Sequence, residues 1–219
     1  NGILSLGSST GKGVLVGPPY PPLNLGKDWK MGTTTNNING LWKAVTSGVG
    51  SDGVLRFVAV ADSGATTRIM NSKDGKNWCT SASNSCPASE RPGNTNDTIV
   101  WNSITYGKGF GYQRFIAIEP GDHYLVSSDG INFVLDTSPE LGNCNWQSIT
   151  YGEPSGVPTY VAVASGGCPS AFRDNVATYS PDSNYFWQRT VSTQSNYQNA
   201  WRSVTWSKEL NLFVAVSDA

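Results

Sequence analysis

The chain repeats one pair of apolar segments four times, and this repeat constrains the fold more than any other feature. The first segment of each unit begins with Trp and continues with small and β-branched residues, at 42–46, 101–105, 146–150 and 201–205. The second is an aromatic residue followed by Val, Ile or Ala, at 57–61, 115–118, 160–164 and 213–216. Units of this size cannot bury their apolar faces alone and must stack on their neighbours. We therefore expect a single domain, 1–219, of units packed in series.

Each unit reads as four antiparallel strands. The two apolar segments alternate apolar and small polar residues, as half-buried strands do. A third segment ends in Ser, at 68–72, 124–127 and 176–180, and a fourth follows a tight turn. No segment has the 3.6-residue apolar period of a helix, so the predicted class is all-β.

The turn between the third and fourth strands is a motif of its own. Its pattern, Ser-x-Asp-Gly-x-Asn-aromatic, occupies 72–78 and 127–133, and a looser copy occupies 180–187. Gly75 and Gly130 suit the positive φ of a hairpin turn, and the carboxylates of Asp74 and Asp129 can accept hydrogen bonds from turn amides. These carboxylates recur with the unit and not with any partner group, which favours a structural role over a catalytic or metal-binding one.

These hairpins resemble a shortened form of the Asp-box, the bacterial neuraminidase repeat. The wider pattern of Trp-x-Ser-[Ile/Val]-Thr-Tyr-Gly, Phe-Val-Ala-Val and Ser-x-Asp-Gly-x-x-Trp is similar to the propeller repeats of many bacterial and viral surface proteins. The resemblance covers most of the chain and implies a β-propeller. It implies no single activity, because Asp-box propellers serve enzymes, receptors and adhesins. A sialidase would need converging arginines, and the seven arginines here sit at unlike points of their units.

The spacing of the repeated Trp predicts four blades. The fourth unit ends after its second strand, and residues 2–6 and 26–30 read as the third and fourth strands that it lacks, around an insert at 8–24. The predicted fold is a four-bladed β-propeller whose closing blade is shared by N- and C-terminal strands, which protects the sheet edges. Its predicted blades are 40–80, 99–137, 144–190 and 200–219 plus 1–30. The alternative is a longer parent with more blades, and because the chain begins with Asn1 we expect a processed protein or part of a longer one.

The composition and the cysteines indicate which partners are excluded and in which compartment the protein works. Charged residues make up 14% of the chain and the net charge is -1, so we expect neither nucleic-acid binding nor membrane insertion. We expect disulfides Cys79–Cys86 and Cys144–Cys168, each closing a local loop, and hence an oxidising compartment, outside the cell or on a cell or virion surface. The alternative zinc site is weak, because no C-x-x-C pair exists and His123 is the only His.

Two kinds of ligand site are candidates. Carboxylates that follow the second strand, Asp62, Glu119 and Asp218, are expected near the propeller axis, where they could work as an acid/base pair or hold a cation such as calcium, as hemopexin-like propellers do. Aromatic residues in or beside predicted loops could stack on sugars: Tyr20, Tyr112, Phe172, Tyr197 and Trp206.

These features favour an extracellular, non-enzymatic binding or structural module, such as a subunit of a surface filament, appendage or virion. Its expected partners are copies of itself or another surface protein, contacted through the insert at 8–24, and glycans. The alternatives are a lectin-like adhesin and, less favoured, a glycosidase or lyase. No organic cofactor is expected, since no nucleotide-binding or nucleophile motif is present.

Overall fold

A computed structural model describes residues 14–16, 30–32, 40–63, 67–93, 98–109, 111–139, 141–168, 176–179, 187–189 and 199–218. The described residues form strands, with two 3-10 turns at Ala88–Glu90 and Pro154–Gly156. The expected all-β class is therefore confirmed. None of the described residues belongs to a helix long and apolar enough to cross a membrane.

Three four-stranded antiparallel sheets follow one another along the chain, and each lies within the boundaries predicted for one unit. The first contains β3 (Trp42–Val49), β4 (Leu55–Ala61), β5 (Ile69–Ser72) and β6 (Cys79–Thr80). The second contains β7 (Ser103–Gly109), β8 (Tyr112–Ile118), β9 (His123–Ser127) and β10 (Val134–Thr137). The third contains β11 (Trp146–Gly152), β12 (Thr159–Ala164), β13 (Val176–Tyr179) and β14 (Trp187–Arg189).

The two ends of the chain each supply a two-stranded antiparallel sheet. Near the N-terminus β1 (Val14–Val16) pairs with β2 (Lys30–Gly32), and near the C-terminus β15 (Trp201–Ser207) pairs with β16 (Leu212–Ser217). Strand β1 falls inside the insert at 8–24, where we predicted no strand. Its three-residue apolar run carries no signature of the repeat, so the sequence did not indicate it. The predicted strand at 2–6 and most of the one at 26–30 lie outside the described residues.

Neighbouring sheets pack face to face in chain order. Their first strands are in contact, β3 with β7, β7 with β11 and β11 with β15. The second strand of each sheet supplies two apolar side chains that are buried against the next sheet: Val58 and Val60, Ile116 and Ile118, Val161 and Val163. Among the described residues, β15 has no comparable contact with β3. The described sheets therefore form a series with two ends, and a closed ring is not established by them.

The expected turn chemistry is present in the first and second sheets. In the first copy the Ser72 hydroxyl accepts the Gly75 amide at 2.9 Å, and Asp74 Oδ1 accepts the amides of Lys76 and Asn77 at 2.8 and 2.7 Å. Gly75 and Gly130 have φ of 72° and 76°. The same hydrogen bonds recur around Asp129, from Gly130 to Ser127 and from Ile131 and Asn132 to the carboxylate. In both copies the carboxylate therefore accepts the turn amides, as the sequence pattern predicts.

Both expected disulfides, Cys79–Cys86 and Cys144–Cys168, are present, and no described cysteine is free. The linked cysteines are 7 and 24 positions apart in the sequence, so each disulfide closes a local loop. Disulfides persist where the surroundings are oxidising, so they indicate an extracellular setting. The zinc alternative is excluded for these four sulfur atoms.

Candidate functional site

The first and second sheets are held together by a polar clasp. The Arg56 side chain is almost fully buried and donates to both carboxylate oxygens of Asp52, at 2.9 and 2.6 Å, and to the backbone oxygen of Asp129 at 2.9 Å. The Ser51 amide donates to the Ser128 carbonyl at 2.8 Å. The bidentate hydrogen bonds from Arg56 lower the pKa of Asp52 to about 2. The clasp therefore links a turn of the first sheet to the hairpin turn of the second.

A groove of about 560 Å³ lies beside this clasp, along strands β8, β9 and β10 of the second sheet. Its volume is typical of small-molecule sites. Ser51 and Ser128 of the clasp form part of its wall, and Val126 and Val134 add apolar surface. The side chains that give it chemical character are Tyr112, Gln113, Arg114, Tyr124, Asn132 and Asp136.

Tyr112 is the aromatic residue most available to a ligand in this groove. It opens β8 and is 47% exposed, whereas Tyr124 is buried. Arg114 follows two residues later, on the same face of the strand, and its guanidinium carbon lies 5.6 Å from the centre of the Tyr112 ring. This cation–π contact restrains both side chains. The groove thus presents a flat ring beside a fixed positive charge.

Asp136 supplies the negative charge of the groove. The Tyr124 hydroxyl donates to Asp136 Oδ2 at 2.9 Å, and the Thr137 amide donates to Oδ1 at 2.8 Å. The β9–β10 register places Asp136 directly across from Tyr124. Asn132 is held in a similar way, because its side-chain amide donates to Asp129 at 2.7 Å. The polar groups of the groove are therefore oriented by the sheet and its turn.

Two of the five predicted sugar-stacking residues, Tyr112 and Trp206, are among the described residues, and one of these two lines the groove. Tyr112 lines it, but the ring of Trp206 packs on Gly152 and lies 4.6 Å, centre to centre, from Phe213. Trp206 is therefore a packing residue of the interface between the third sheet and the β15–β16 sheet, which we call the fourth sheet. Tyr20, Phe172 and Tyr197 lie outside the described residues.

The three carboxylates expected near an axis each contact a different basic side chain. Asp62 pairs with Lys43 at 3.2 Å, Asp218 pairs with Arg202, and Glu119 contacts His123 Nδ1 at 2.8 Å. The Arg202 hydrogen bond lowers the pKa of Asp218. Sequence reasoning therefore missed the basic side chain that each carboxylate contacts.

Glu119 does have metal-ligating neighbours. The carboxylates of Glu119 and Asp122 and the imidazole of His123 offer ligand atoms within 4.8 Å of one another. Two carboxylates and one imidazole supply fewer oxygen donors than the six to eight that calcium takes. Asp62 and Asp218 do not belong to this group, so the axial calcium site that joins all three carboxylates stays a prediction.

Sequence reasoning missed Arg114, Asp136 and Asn132 as groove residues. The sequence indicated one of them, Arg114, because side chains two positions apart on a strand share a face and Tyr112 lies two positions before it. Placing Asp136 and Asn132 beside them requires the order and register of β8, β9 and β10, which the sequence alone does not supply. No protein-family model, curated protein or solved structure matches this chain.

Proposed function

We propose that this chain is an extracellular, non-enzymatic binding module that holds its ligand in the groove of the second sheet, on a four-bladed propeller scaffold. The observation that carries the proposal is the groove itself. It combines the exposed ring of Tyr112 with charged and polar groups, Arg114 and Asp136 among them, that the fold already holds in place. A concave surface that combines an exposed aromatic ring with oriented polar groups is a candidate binding site.

Binding rather than catalysis is favoured by the carboxyl groups. A general acid needs a raised pKa, so that it still carries its proton near neutral pH. Among the described residues, every carboxyl group with a shifted pKa has it lowered, namely Asp52, Asp74, Asp129 and Asp218. These four groups stay ionised near neutral pH, so none of them is suited to act as a general acid.

The propeller scaffold is supported by a contact that recurs between successive sheets. An aromatic ring of each sheet covers a glycine of the one before it, and a Cβ on that glycine would lie 2.2 to 2.4 Å from the ring: Tyr106 on Gly48, Tyr151 on Gly107, Trp206 on Gly152. Equivalent contacts at successive interfaces imply a constant rotation from one sheet to the next. A constant rotation around a common axis is the geometry of a propeller.

Closure of the ring is supported by the free face of the fourth sheet. Val214 and Val216 occupy the positions of the buried pairs in the other three sheets, yet they are 44% and 57% exposed. On the same face, Ser203 holds the position of Ser103 and Ser148, whose hydroxyls accept amides of the following sheet at 3.2 and 3.3 Å. This face therefore has the features that bind a following sheet elsewhere in the molecule.

The first sheet of the same chain is the partner that we propose for this face. The two-stranded sheets at the chain ends, β1–β2 and β15–β16, together hold the four strands of one blade. In this proposal β1 and β2 extend the fourth sheet beyond β16, and the completed blade packs on the first. A closed ring removes exposed sheet edges, which otherwise promote aggregation.

A screen that does not presuppose the ligand tests the binding proposal. Pools of saccharides, short peptides and small anions are added to isotope-labelled native protein, and amide shifts are followed by nuclear magnetic resonance. We expect the hits to perturb the amides of Tyr112, Arg114 and Asp136, and mass spectrometry to recover every bound compound unchanged. Hits that map only outside the groove, or a compound that is converted, would overturn the proposal.

A further inference from the structure

The turn between β8 and β9 contains a buried charge that the repeat does not explain. Glu119 directly follows β8, and only 9% of its surface is exposed. The other units have a small residue at the same position, namely Ala61, Ala164 and Ser217. A buried carboxylate is unfavourable unless its charge is compensated. Glu119 therefore needs a positive partner that the small residues of the other units do not need.

The basic residue that neutralises a nearby carboxylate in other units is missing from the second unit. In the first and fourth sheets the residue after the repeated Trp is basic and pairs with a carboxylate of its own sheet: Lys43 with Asp62, and Arg202 with Asp218. The second unit has Asn102 there, and its side chain donates to the Trp146 carbonyl at 2.7 Å. No Lys or Arg of the described ranges forms an ion pair with Glu119 or Asp122. The repeat thus leaves the Glu119 charge to be compensated by another group.

Two residues of the same turn approach Glu119. His123 Nδ1 lies 2.8 Å from Glu119 Oε1 and 3.2 Å from Asp122 Oδ1. The His123 amide also donates to Oε1 at 3.1 Å, whereas Oε2 accepts no hydrogen bond from the part of the chain that the structure describes. Even a protonated imidazole carries one positive charge, so one of the two carboxylates would stay uncompensated. A divalent cation would balance both.

The three side chains offer the donor atoms of a transition-metal site. Imidazole nitrogen and carboxylate oxygen are both ligands of Zn²⁺ and of related divalent ions. Zinc bonds to nitrogen and oxygen are about 2.0–2.2 Å long, so neighbouring ligand atoms lie about 2.8–3.6 Å apart in octahedral to tetrahedral arrangements. The two contacts of His123 Nδ1, at 2.8 and 3.2 Å, fall within this range. The side chains of Asp122 and His123 are each 39% exposed, so an ion can enter from solvent.

The backbone holds this turn in position. A Cβ at residue 121 would lie 2.1 Å from Glu119 Oε1, so Gly121 leaves room for the carboxylate. Gly121 also pairs with Cys144 in an antiparallel bridge, and the Ser138 amide donates to the Asp122 carbonyl at 2.9 Å. The ligand atoms are therefore close together before an ion binds, which reduces the ordering that binding requires.

We propose that Glu119, Asp122 and His123 bind one divalent transition-metal ion, of which Zn²⁺ fits the donor atoms best. The ion occupies the space between Nδ1 and the two carboxylates, and the imidazole then carries its proton on Nε2. This site differs from the axial calcium site, because Asp62 and Asp218 take no part in it. The inference does not rest on the proposed function, since none of the three ligands lines the groove of the second sheet.

The test is isothermal titration calorimetry of the native chain, freed of metal by a chelator, with zinc chloride and in parallel with calcium chloride. We expect one Zn²⁺ to bind per chain, and to bind more tightly than Ca²⁺. Loss of a ligand in Glu119→Gln or in His123→Ala should weaken Zn²⁺ binding by about tenfold or more. Asp62→Asn removes a carboxylate that also follows the second strand of its sheet, so it is the matched control and should leave the affinity unchanged.

Nuclear magnetic resonance gives a second measurement of the same site. His123 is the only His of the chain, so every imidazole signal belongs to it. We expect Zn²⁺ to shift the ring nitrogens to the form with the proton on Nε2. An imidazole spectrum that Zn²⁺ leaves unchanged would contradict the proposal.

The variants distinguish a built site from a single exposed imidazole. Each variant is first shown to melt as a folded protein, so that lost binding is not lost structure. The inference is overturned if Zn²⁺ does not bind, if Ca²⁺ binds more tightly, or if Glu119→Gln binds Zn²⁺ as well as the parent protein does. The last result would mean that His123 binds the ion without the buried carboxylate. None of these results changes the ligand screen of the groove, so the proposed function is tested separately.

Discussion

At the scale of single residues, the hairpin turn shows how one carboxylate organises a backbone. Asp74 Oδ1 accepts two successive amides, and the Asn77 side chain donates to Oδ2 at 2.7 Å. Although partial burial acts to raise the pKa of Asp74, these hydrogen bonds from Asn77, Lys76 and Ser72 lower it to about 2. In the second copy burial also acts to raise the pKa of Asp129, but hydrogen bonds from the amides of Ile131 and Asn132 lower it overall. The repeated motif thus keeps an ionised acceptor inside each turn.

Replacing this acceptor should weaken the fold. We expect Asp74→Ala to lower the free energy of unfolding by about 1–3 kcal/mol, because the turn amides lose their partner. Asp74→Asn should cost less, since its side-chain oxygen can still accept the amides. Chemical denaturation measures both values, with Lys76→Ala at an exposed turn position as control. Equal unfolding midpoints for Asp74→Ala and Lys76→Ala would contradict this role of Asp74.

The lowered pKa values also predict acid sensitivity. Asp52 and Asp74 have pKa values of about 2 in the folded chain, against an ordinary value of 3.8. Their ionised forms therefore stabilise the fold fully above about pH 4, and this contribution is lost as the pH falls toward 2. We expect the melting temperature to decline over that window, and the decline to be shallower in Asp74→Asn. A melting temperature that is constant from pH 6 to pH 2 would refute the prediction.

At the scale of the element, the contact between sheets depends on a glycine and an aromatic ring. The Tyr106 hydroxyl donates to the Val49 carbonyl at 2.6 Å, and the Tyr151 hydroxyl donates to the Lys108 carbonyl at 2.7 Å. In each case the acceptor is the residue after the glycine that the ring covers. Burial raises the pKa of both tyrosines, so the hydroxyls remain protonated donors. The Tyr of one repeat unit therefore packs against the Gly of the preceding unit, and together they form part of the interface between the two sheets.

A side chain at one of these glycines should strain the interface. We expect Gly107→Ala to lower the free energy of unfolding by about 1–3 kcal/mol, because its Cβ would lie 2.2 Å from the Tyr151 ring. Gly93→Ala is the control, since the nearest atom to its Cβ would be 3.8 Å away. In a double-mutant cycle measured by denaturation, Tyr151→Ala should relieve part of the loss in Gly107→Ala. Strictly additive losses would show that the ring and the glycine do not act together.

At the scale of the whole molecule, the question is whether the fourth sheet packs against the first to close a ring or leaves the series of sheets open. In the repeat, an aromatic residue precedes the glycine, as in Tyr106-Gly107 and Tyr151-Gly152. Ser207 stands in place of that glycine in the fourth sheet, and Ser47 stands in place of the aromatic residue in the first. If the ring closes, these two serines face each other where the other interfaces have a glycine and a ring. Leu212, Val214 and Val216 form an exposed apolar stripe on the face that closure would cover.

A pair of cysteines tests the proposed closure. In the other interfaces a Cβ at the glycine position lies within about 2.5 Å of ring carbons of the facing residue, so Ser47→Cys with Ser207→Cys should reach disulfide distance in a closed ring. We expect mild oxidation to link them within one chain, as mapped by mass spectrometry of peptides. The control is Ser47→Cys with Ser165→Cys, from the first and third sheets. Linkage between two chains would show that a second copy covers the stripe, and no linkage would support an open series.

The local features of this protein were predictable because each depends on residues close in sequence. The strands of the first three units, the Asp-Gly turns around Asp74 and Asp129, and the loop-closing disulfides all follow from short patterns, and the structure confirms them. The candidate site was predictable only in part. Tyr112 was identified as an aromatic residue at the edge of a strand, but Trp206 has the same local pattern and is packed on Gly152.

The sequence by itself therefore determined the all-β class, the repeated unit and the chemistry of its turns, because those depend on alternation, turn residues and spacing along the chain. Tertiary structure alone decided which aromatic ring stays exposed and which basic side chain each carboxylate contacts. It also decided that Asp136 and Arg114 line the same groove as Tyr112. The physical reason is that these contacts join strands distant in sequence. Their register is set by strand pairing and by packing between sheets. Because the units have similar sequences, the sequence alone does not distinguish the surroundings of one unit from those of another.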